Sequence, residues 1–387
     1  MTFPNIITTT GILGTGSQPG PWRAPNGSLY VLTSGSGASP FTLCILKSTD
    51  EGVTWAIMND GGSPPDSGIG SAFVGTMVGA QIWTANNTGA GAVTQSFTPF
   101  DTTTDTWGSP TAVTTASATD QGPWSLFYRA SDNKLILAPD GVASFGVPFG
   151  KFRCGYLVFD ISSLSFVDFV PCGETGASAF DWSCIGLIAG AANECDFIFW
   201  VTGSDQELWR QSLSSGGVLG TKTLIDTSTG PMLGGAAPAA CSDGTTAYVI
   251  WQPTNLTAKV YTAPTSTWVF TNQTLTIAGS ELNVESVAIV VKSPKVFSFI
   301  VTGAGNVLTA TDTGAGFGSL TSLGALPGSG FNSNVIWGNT LGSVAWGIVM
   351  IGGATNYFWE FGMVAAISGY ASSGGTLIGS GSYASVG

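Results

Sequence analysis

Few side chains in this sequence can do acid–base or anion chemistry. Its 387 residues include 11 lysines and arginines, 23 aspartates and glutamates, six cysteines and no histidine. Without histidine there is no Ser-His-Asp triad, no Cys-His dyad and no His-ligated zinc or haem. Two carboxylates facing each other over a sugar could still hydrolyse a glycosidic bond. The acids to inspect are Asp181 with Glu194 and Glu281 with Glu285, for which solvated turn residues are the competing reading. Guanidinium groups grip carboxylates at two points, and the chain has four: Arg23, Arg129, Arg153 and Arg210. Exposed tryptophans can stack on sugars; Trp22, Trp124 and Trp182 stand at the starts of strand-like runs, with core packing as their alternative role. Trp22, Arg23, Trp124 and Trp182 are therefore the carbohydrate-binding candidates. Asp101–Asp105 offers oxygen ligands of the kind calcium takes, but no EF-hand-like loop is present. No catalytic set and no metal set emerges, and no cofactor is expected.

The cysteines form no CxxC pattern. Cys154 and Cys172 flank the runs 155–161 and 165–171 and lie equidistant from Ser163. A hairpin centred there sets them opposite each other. A cross-strand disulfide and a pair of buried thiols are both open readings.

Charged residues make up 9% of the chain, against about 25% in an average soluble domain. The net charge of −12 comes with few basic residues, which argues against nucleic acid as a partner. Mean hydropathy is +0.31, yet the apolar runs are too short to span a bilayer, so membrane insertion is not expected. The start, Met1-Thr2-Phe3-Pro4-Asn5, lacks the basic region and apolar stretch of a secretory signal. An apolar fraction of 43% with 13 tryptophans can fill a core, which excludes a disordered chain.

The elements that must position these residues are strands. Runs of five to eight residues rich in Val, Ile, Phe, Trp and Thr alternate with Gly, Asn, Asp, Ser and Pro. One run recurs: Phe197–Gly203 reappears in altered form as Phe297–Gly303, with Ala247–Trp251 between them. Anchors at Trp83, Leu137, Trp200, Trp251, Ile300 and Trp346 repeat about every 53 residues, and Leu29–Leu32 begins the series. Four strands per repeat is the signature of an all-β propeller. The expectation is seven four-stranded blades near 20–62, 70–115, 122–173, 180–228, 230–279, 281–327 and 330–366. The last unit lacks a strand, which 4–10 should supply to close the ring. The third unit carries an insert, 139–153. The uncharged tail, 367–387, reads either as a linker or as an arm that orders on a neighbouring subunit.

Ser48-Thr49-Asp50-Glu51-Gly52-Val53-Thr54-Trp55 fits S-x-D-x-G-x-T-W. It resembles the Asp-box, or BNR repeat, of sialidase-type propellers. A second, altered copy is carried by Asp312, Gly314 and Phe317. The resemblance implies a structural hairpin for Ser48, Asp50, Gly52, Thr54, Trp55, Asp312, Gly314 and Phe317, away from the active face. Trp22-Arg23-Ala24-Pro25 is similar to the family's Arg-Ile-Pro motif, which would make Arg23 one of three carboxylate-binding arginines; a leftover arginine, or one satisfied by a neighbouring loop, is the competing reading. Arg153 and Arg210 do not align with the other two, and no Tyr–Glu nucleophile pair matches. The resemblance covers the repeat architecture and these hairpins.

Together these features point to a non-enzymatic structural propeller of a virion, of bacteriophage type. It would be a decoration, fibre or tail component at the virion surface or outside the cell. Its partners would be other virion or assembly proteins, met through 367–387 and 139–153, and host-surface glycan. A secreted lectin-like propeller is the first alternative and a sialidase-like hydrolase the second.

Overall fold

The computed structural model describes residues 5–8, 20–34, 41–58, 67–69, 73–87, 94–116, 123–139, 155–171, 184–189, 195–202, 205–229, 238–281, 283–292, 294–325, 336–341, 345–352 and 355–360. Their strands group into seven antiparallel sheets. The first holds Trp22–Arg23, Leu29–Ser34 and Phe41–Ser48, with Ala56–Ile57 and Ser67–Ile69 sharing the outer position. The second holds Phe73–Val78, Gln81–Asn87 and Thr94–Asp101, with Thr106–Trp107 and Thr111–Thr114 outside. Four-stranded sheets follow in chain order. The third runs Pro123–Arg129, Lys134–Pro139, Gly155–Asp160, Ser165–Pro171, and the fourth Cys184–Ala189, Cys195–Thr202, Asp205–Leu213, Thr223–Thr229. The fifth runs Ala239–Ser242, Thr246–Thr254, Thr257–Pro264, Thr271–Thr276, and the sixth Val284–Lys292, Lys295–Thr302, Asn306–Asp312, Thr321–Ala325. The seventh takes Ile336–Leu341, Ala345–Gly352 and Thr355–Glu360 from one end of the chain and Asn5–Thr8 from the other, with Asn5 opposite Phe358.

From the second sheet to the seventh, first strands of consecutive sheets lie side by side, and Trp22–Arg23 of the first sheet neighbours Ile336–Leu341 of the seventh. The arrangement is an all-β propeller. Each sequence anchor sits in the second strand of its sheet, where both faces meet a neighbour. In the third sheet, Leu135 and Leu137 pack with Trp83 and Phe97 of the second. The alternate residues Ile136 and Ala138 pack with Phe197 and Phe199 of the fourth. Ile198 turns instead to Val249 and Trp251 of the fifth sheet, while Ile250 faces the sixth. Because strand side chains alternate faces, both alternating sets are apolar, so the strands read as continuous hydrophobic runs. That placement accounts for much of the positive hydropathy.

One expectation is corrected. The outer strand is not single in the first two sheets. Ala56–Ile57 pairs with Leu46 and Lys47, and Ser67–Ile69 pairs with the far end of the same strand. In the second sheet, Gly108 donates to the Pro99 carbonyl between the two outer pieces, and Pro110 has no N–H to give. The ladder breaks there and resumes at Thr111 opposite Phe97. The tail 367–387, the insert beyond Pro139, Arg153, Cys154, Cys172, Asp181, Trp182 and Glu194 lie outside the described residues.

Candidate functional site

The hairpin Ser48–Trp55 joins the third strand of the first sheet to its outer strand. Ser48 Oγ donates to Asp50 Oδ1 (2.8 Å) and accepts the Gly52 amide (2.8 Å). Thr54 gives its amide to Asp50 Oδ1 (2.9 Å) and its hydroxyl to Oδ2 (2.6 Å). Glu51 and Gly52 both have positive φ, 59° and 82°, a conformation glycine adopts without penalty. Trp55 Nε1 closes the turn on the Gly52 carbonyl at 3.0 Å, and its ring packs on the core shared by the first two sheets. Partial burial pushes the Asp50 carboxyl upward, but the bonds from Thr54 and Ser48 outweigh it and hold the group below its ordinary range.

The second hairpin joins the same two strand positions in the sixth sheet. It has Ala310 where the first copy has Ser48. The Asp312 carboxylate takes over the missing hydroxyl's work by accepting the Gly314 amide (2.7 Å), and it accepts the Gly316 amide (2.9 Å) as Asp50 accepts that of Thr54. Phe317 is buried in the seam between the fifth and sixth sheets. There Gln273 accepts the Phe317 amide at 2.7 Å and donates to its carbonyl.

Arg23 is engaged within its own sheet. Its Nη1 and Nη2 meet Glu51 Oε1 and Oε2 at 2.9 and 2.5 Å, and Nη1 also donates to the Gly27 carbonyl at 3.0 Å. The guanidinium thus ties the first turn of its sheet to the Ser48–Trp55 turn. Trp22 is 5% exposed and lies in the core of the first two sheets, which leaves its ring no free face for a sugar. Trp124 belongs to the first strand of the third sheet.

Other inspected acids are also engaged. Glu281 accepts the Thr302 hydroxyl (2.7 Å) and the Asn306 amide (2.8 Å), fastening the approach to the sixth sheet onto that sheet. Asp101 accepts the amides of Thr103 and Thr104. Asp105 bonds Tyr30 (2.7 Å) and Lys47 (2.5 Å) of the neighbouring sheet. Neither oxygen set surrounds a cation position. Among the described residues, no group of three or more His, Cys, Asp or Glu is placed to hold a metal ion. No described helix is long and apolar enough to cross a membrane.

Two features were not anticipated from sequence. One is a second hairpin type at Asp101–Trp107 and Asp160–Phe166. In each, the Asp accepts two amides, a hydroxyl pair closes the turn at 2.7 Å, and the fifth residue has positive φ, 58° at Asp105 and 55° at Leu164. Aspartate six residues before an aromatic, with Ser or Thr at the third, fourth and sixth positions, is the signal that reveals it. The other is a set of polar bridges across sheet seams. Lys259 and Tyr261 of the fifth sheet bond Asp226 of the fourth. Arg129 chelates Asp132 and reaches the Ser214 carbonyl of the next sheet at 3.0 Å. Arg210 pairs with fully buried Asp196 and lies 3.9 Å from the Trp268 ring centroid.

No protein-family model matches the chain, and no curated protein matches it significantly. Solved structures do. A chain in the crystal structure of a mitotic checkpoint complex is 12% identical with a TM-score of 0.54, covering 93% of this chain and 96% of that one. A hypothetical selenium-binding protein from Sulfolobus tokodaii is 9% identical with a TM-score of 0.51, covering 76% of each chain. An Aleuria aurantia lectin bound to Fucα1-6GlcNAc is 10% identical with a TM-score of 0.45, covering 88% of this chain and 89% of the lectin. At such identities the likeness concerns the fold. The chain is a β-propeller whose described turns are organised by Asp, Ser and Thr side chains.

Proposed function

We propose that the seven sheets act as one closed ring of seven blades and that the chain is a structural propeller of a virion or other extracellular assembly. In this reading it is a decoration, fibre or tail component that also contacts host-surface glycan. A secreted lectin-like role uses the same glycan-binding chemistry. One observation carries the non-enzymatic part of the reading: Arg23, the arginine in the sialidase-like motif, is held at two points by Glu51. A carboxylate-binding arginine must keep its fork open for the ligand. The charge economy supports an uncharged partner surface. Lys47, Lys134, Lys259, Arg23, Arg129 and Arg210 are each paired with an aspartate or glutamate of the chain, so these cations are already engaged within the chain. For the glycan contact, burial of Trp22 leaves Trp124 and Trp182 as the tryptophans to test.

Two experiments decide the reading. Mass spectrometry of purified particles should find the chain as a stoichiometric component; its absence from all particles overturns the assembly role. The full chain on a glycan array should bind a defined set of sugars, more weakly after Trp124→Ala or Trp182→Ala. Release of a chromophore from an aryl sialoside, abolished by Arg23→Ala, would replace the binding role with hydrolysis.

A further inference from the structure

We propose that Asn26 is a site of spontaneous covalent modification, loss of its side-chain amide, and that the turn carrying it gates the reaction. Asn26-Gly27 is the only Asn-Gly pair in the sequence. Asparagine is among the thermolabile residues. A following glycine favours attack on its carboxamide, because no Cβ shields the next backbone nitrogen. A Cβ placed on Gly27 would meet no atom within 4 Å. Both residues are exposed, so water reaches the pair and burial does not protect it.

Hydrogen bonds hold the pair unreacted instead. The turn joins the first two strands of the first sheet. The Gly27 amide, whose nitrogen would attack, donates to the Ala24 carbonyl, and the Ala24 amide donates to the Ser28 carbonyl, both at 2.9 Å. The carboxamide under attack is pinned at both ends. Its Oδ1 accepts the Ser28 amide and its Nδ2 donates to the Thr102 carbonyl of the second sheet, each at 2.9 Å. Arg23 Nη1 adds a bond to the Gly27 carbonyl at 3.0 Å. Reaction therefore waits for local opening of the turn.

When the turn opens, base removes the Gly27 N–H proton and the nitrogen bonds to Asn26 Cγ. The Cγ–Nδ2 bond breaks, and Nδ2 takes up a proton and leaves as ammonia. Water then opens the cyclic imide: its oxygen bonds to one carbonyl carbon, that carbon's C–N bond breaks, and the nitrogen regains a proton. The product is an aspartyl residue or an isoaspartyl one, which lengthens the turn's backbone by one carbon. Neither keeps the Nδ2–H donor. A carboxylate oxygen then faces the Thr102 carbonyl, to which the Tyr30 hydroxyl also donates at 3.1 Å. Because ammonia is lost, the tie between the first and second sheets cannot re-form, and the change marks the chain permanently.

The test incubates the full chain in mildly alkaline buffer, once native and once unfolded in urea. The tryptic peptide Ala24–Lys47 contains no other asparagine and no glutamine, so replacement of NH2 by OH in its mass reports Asn26 alone. The unfolded chain should convert, and the native chain should convert about tenfold or more slowly. Native chain that has converted, separated by anion exchange, should melt a few degrees below the unconverted chain. Equal rates in the two states overturn the proposal, as do no conversion in urea and an unchanged melting temperature after conversion.

Discussion

Arg23 and Glu51 form a two-point ion pair between turns 28 residues apart in sequence, with contacts of 2.9 and 2.5 Å. Glu51 is also the residue that bends through φ 59° within the Ser48–Trp55 hairpin. The pair therefore locks the hairpin's strained corner to the first turn of the same sheet. Both side chains are about three-quarters buried, so the geometry is held and screening is reduced. A double-mutant cycle with Arg23→Ala and Glu51→Ala, followed by urea unfolding, should give a coupling of about 1 kcal/mol. A coupling near zero would show the contact to be incidental. Arg23→Lys should recover only part, since an ammonium cannot match both carboxylate oxygens.

Asp105 and Leu164 occupy the same corner of two equivalent hairpins, with φ 58° and 55°. Asparagine tolerates that conformation better than leucine does. Leu164 is half exposed and adds little burial, so Leu164→Asn should stabilise by about 0.5 kcal/mol. At Asp105 the same replacement gains no backbone relief worth the loss, because the carboxylate holds Lys47 and Tyr30 of the neighbouring sheet. Asp105→Asn should cost about 1–2 kcal/mol. Opposite signs in parallel thermal melts confirm the assignment; equal signs refute it.

The repeat, the anchors in second strands and the role of the N-terminal strand were legible in the sequence because they follow from local patterning. Hydrophobic runs mark strands, and a unit short of one strand needs another from elsewhere in the chain. The turn at Ser48–Trp55 was legible for the same reason, since its bonds span at most four residues. The seam bridges were not. Tyr30 meets Asp105 across 75 positions and Lys259 meets Asp226 across 33, and such partners are set by how neighbouring sheets splay. The particular partner of Arg23 was not legible for a related reason. The arginine's motif resembles a ligand-binding one, while the carboxylate that engages it lies in the hairpin read as purely structural.

Acid should unfold the protein through its turns. The carboxyls of Asp50, Asp132 and Asp243 lie below their ordinary range: burial pushes each up, but hydrogen bonds, and for Asp132 also Arg129, outweigh it. Asp101 and Asp160 are lowered chiefly by backbone amides. A depressed folded pKa gives stability that is fully present above the unfolded value, about 3.9, and lost as pH falls through the folded value. Stability should therefore be flat across this part of the titration above about pH 5 and decline steeply below about pH 4. Asp50→Asn should start lower and decline less steeply. A decline of unchanged steepness would remove Asp50 from the transition.

The bridge from the fifth sheet to the fourth gives the sharpest energetic test. Tyr261 is 2% exposed, and its hydroxyl donates to Asp226 Oδ2, which also receives Lys259 Nζ at 2.8 Å. Burial, and then the Asp226 carboxylate, push the Tyr261 phenol far above its ordinary range. Removing the carboxylate strands the Tyr261 hydroxyl in the seam, while the partly exposed Lys259 turns to water; removing the hydroxyl leaves the lysine to satisfy the carboxylate. An unsatisfied buried group costs more than a lost bond. Asp226→Ala should therefore destabilise by about 2–3 kcal/mol and Tyr261→Phe by about 1 kcal/mol. Adding Tyr261→Phe to Asp226→Ala should cost little or even recover stability, because the stranded hydroxyl is then gone. Urea midpoints of the three variants measure this directly, and additive losses would show that the tyrosine and the aspartate do not act as one bridge.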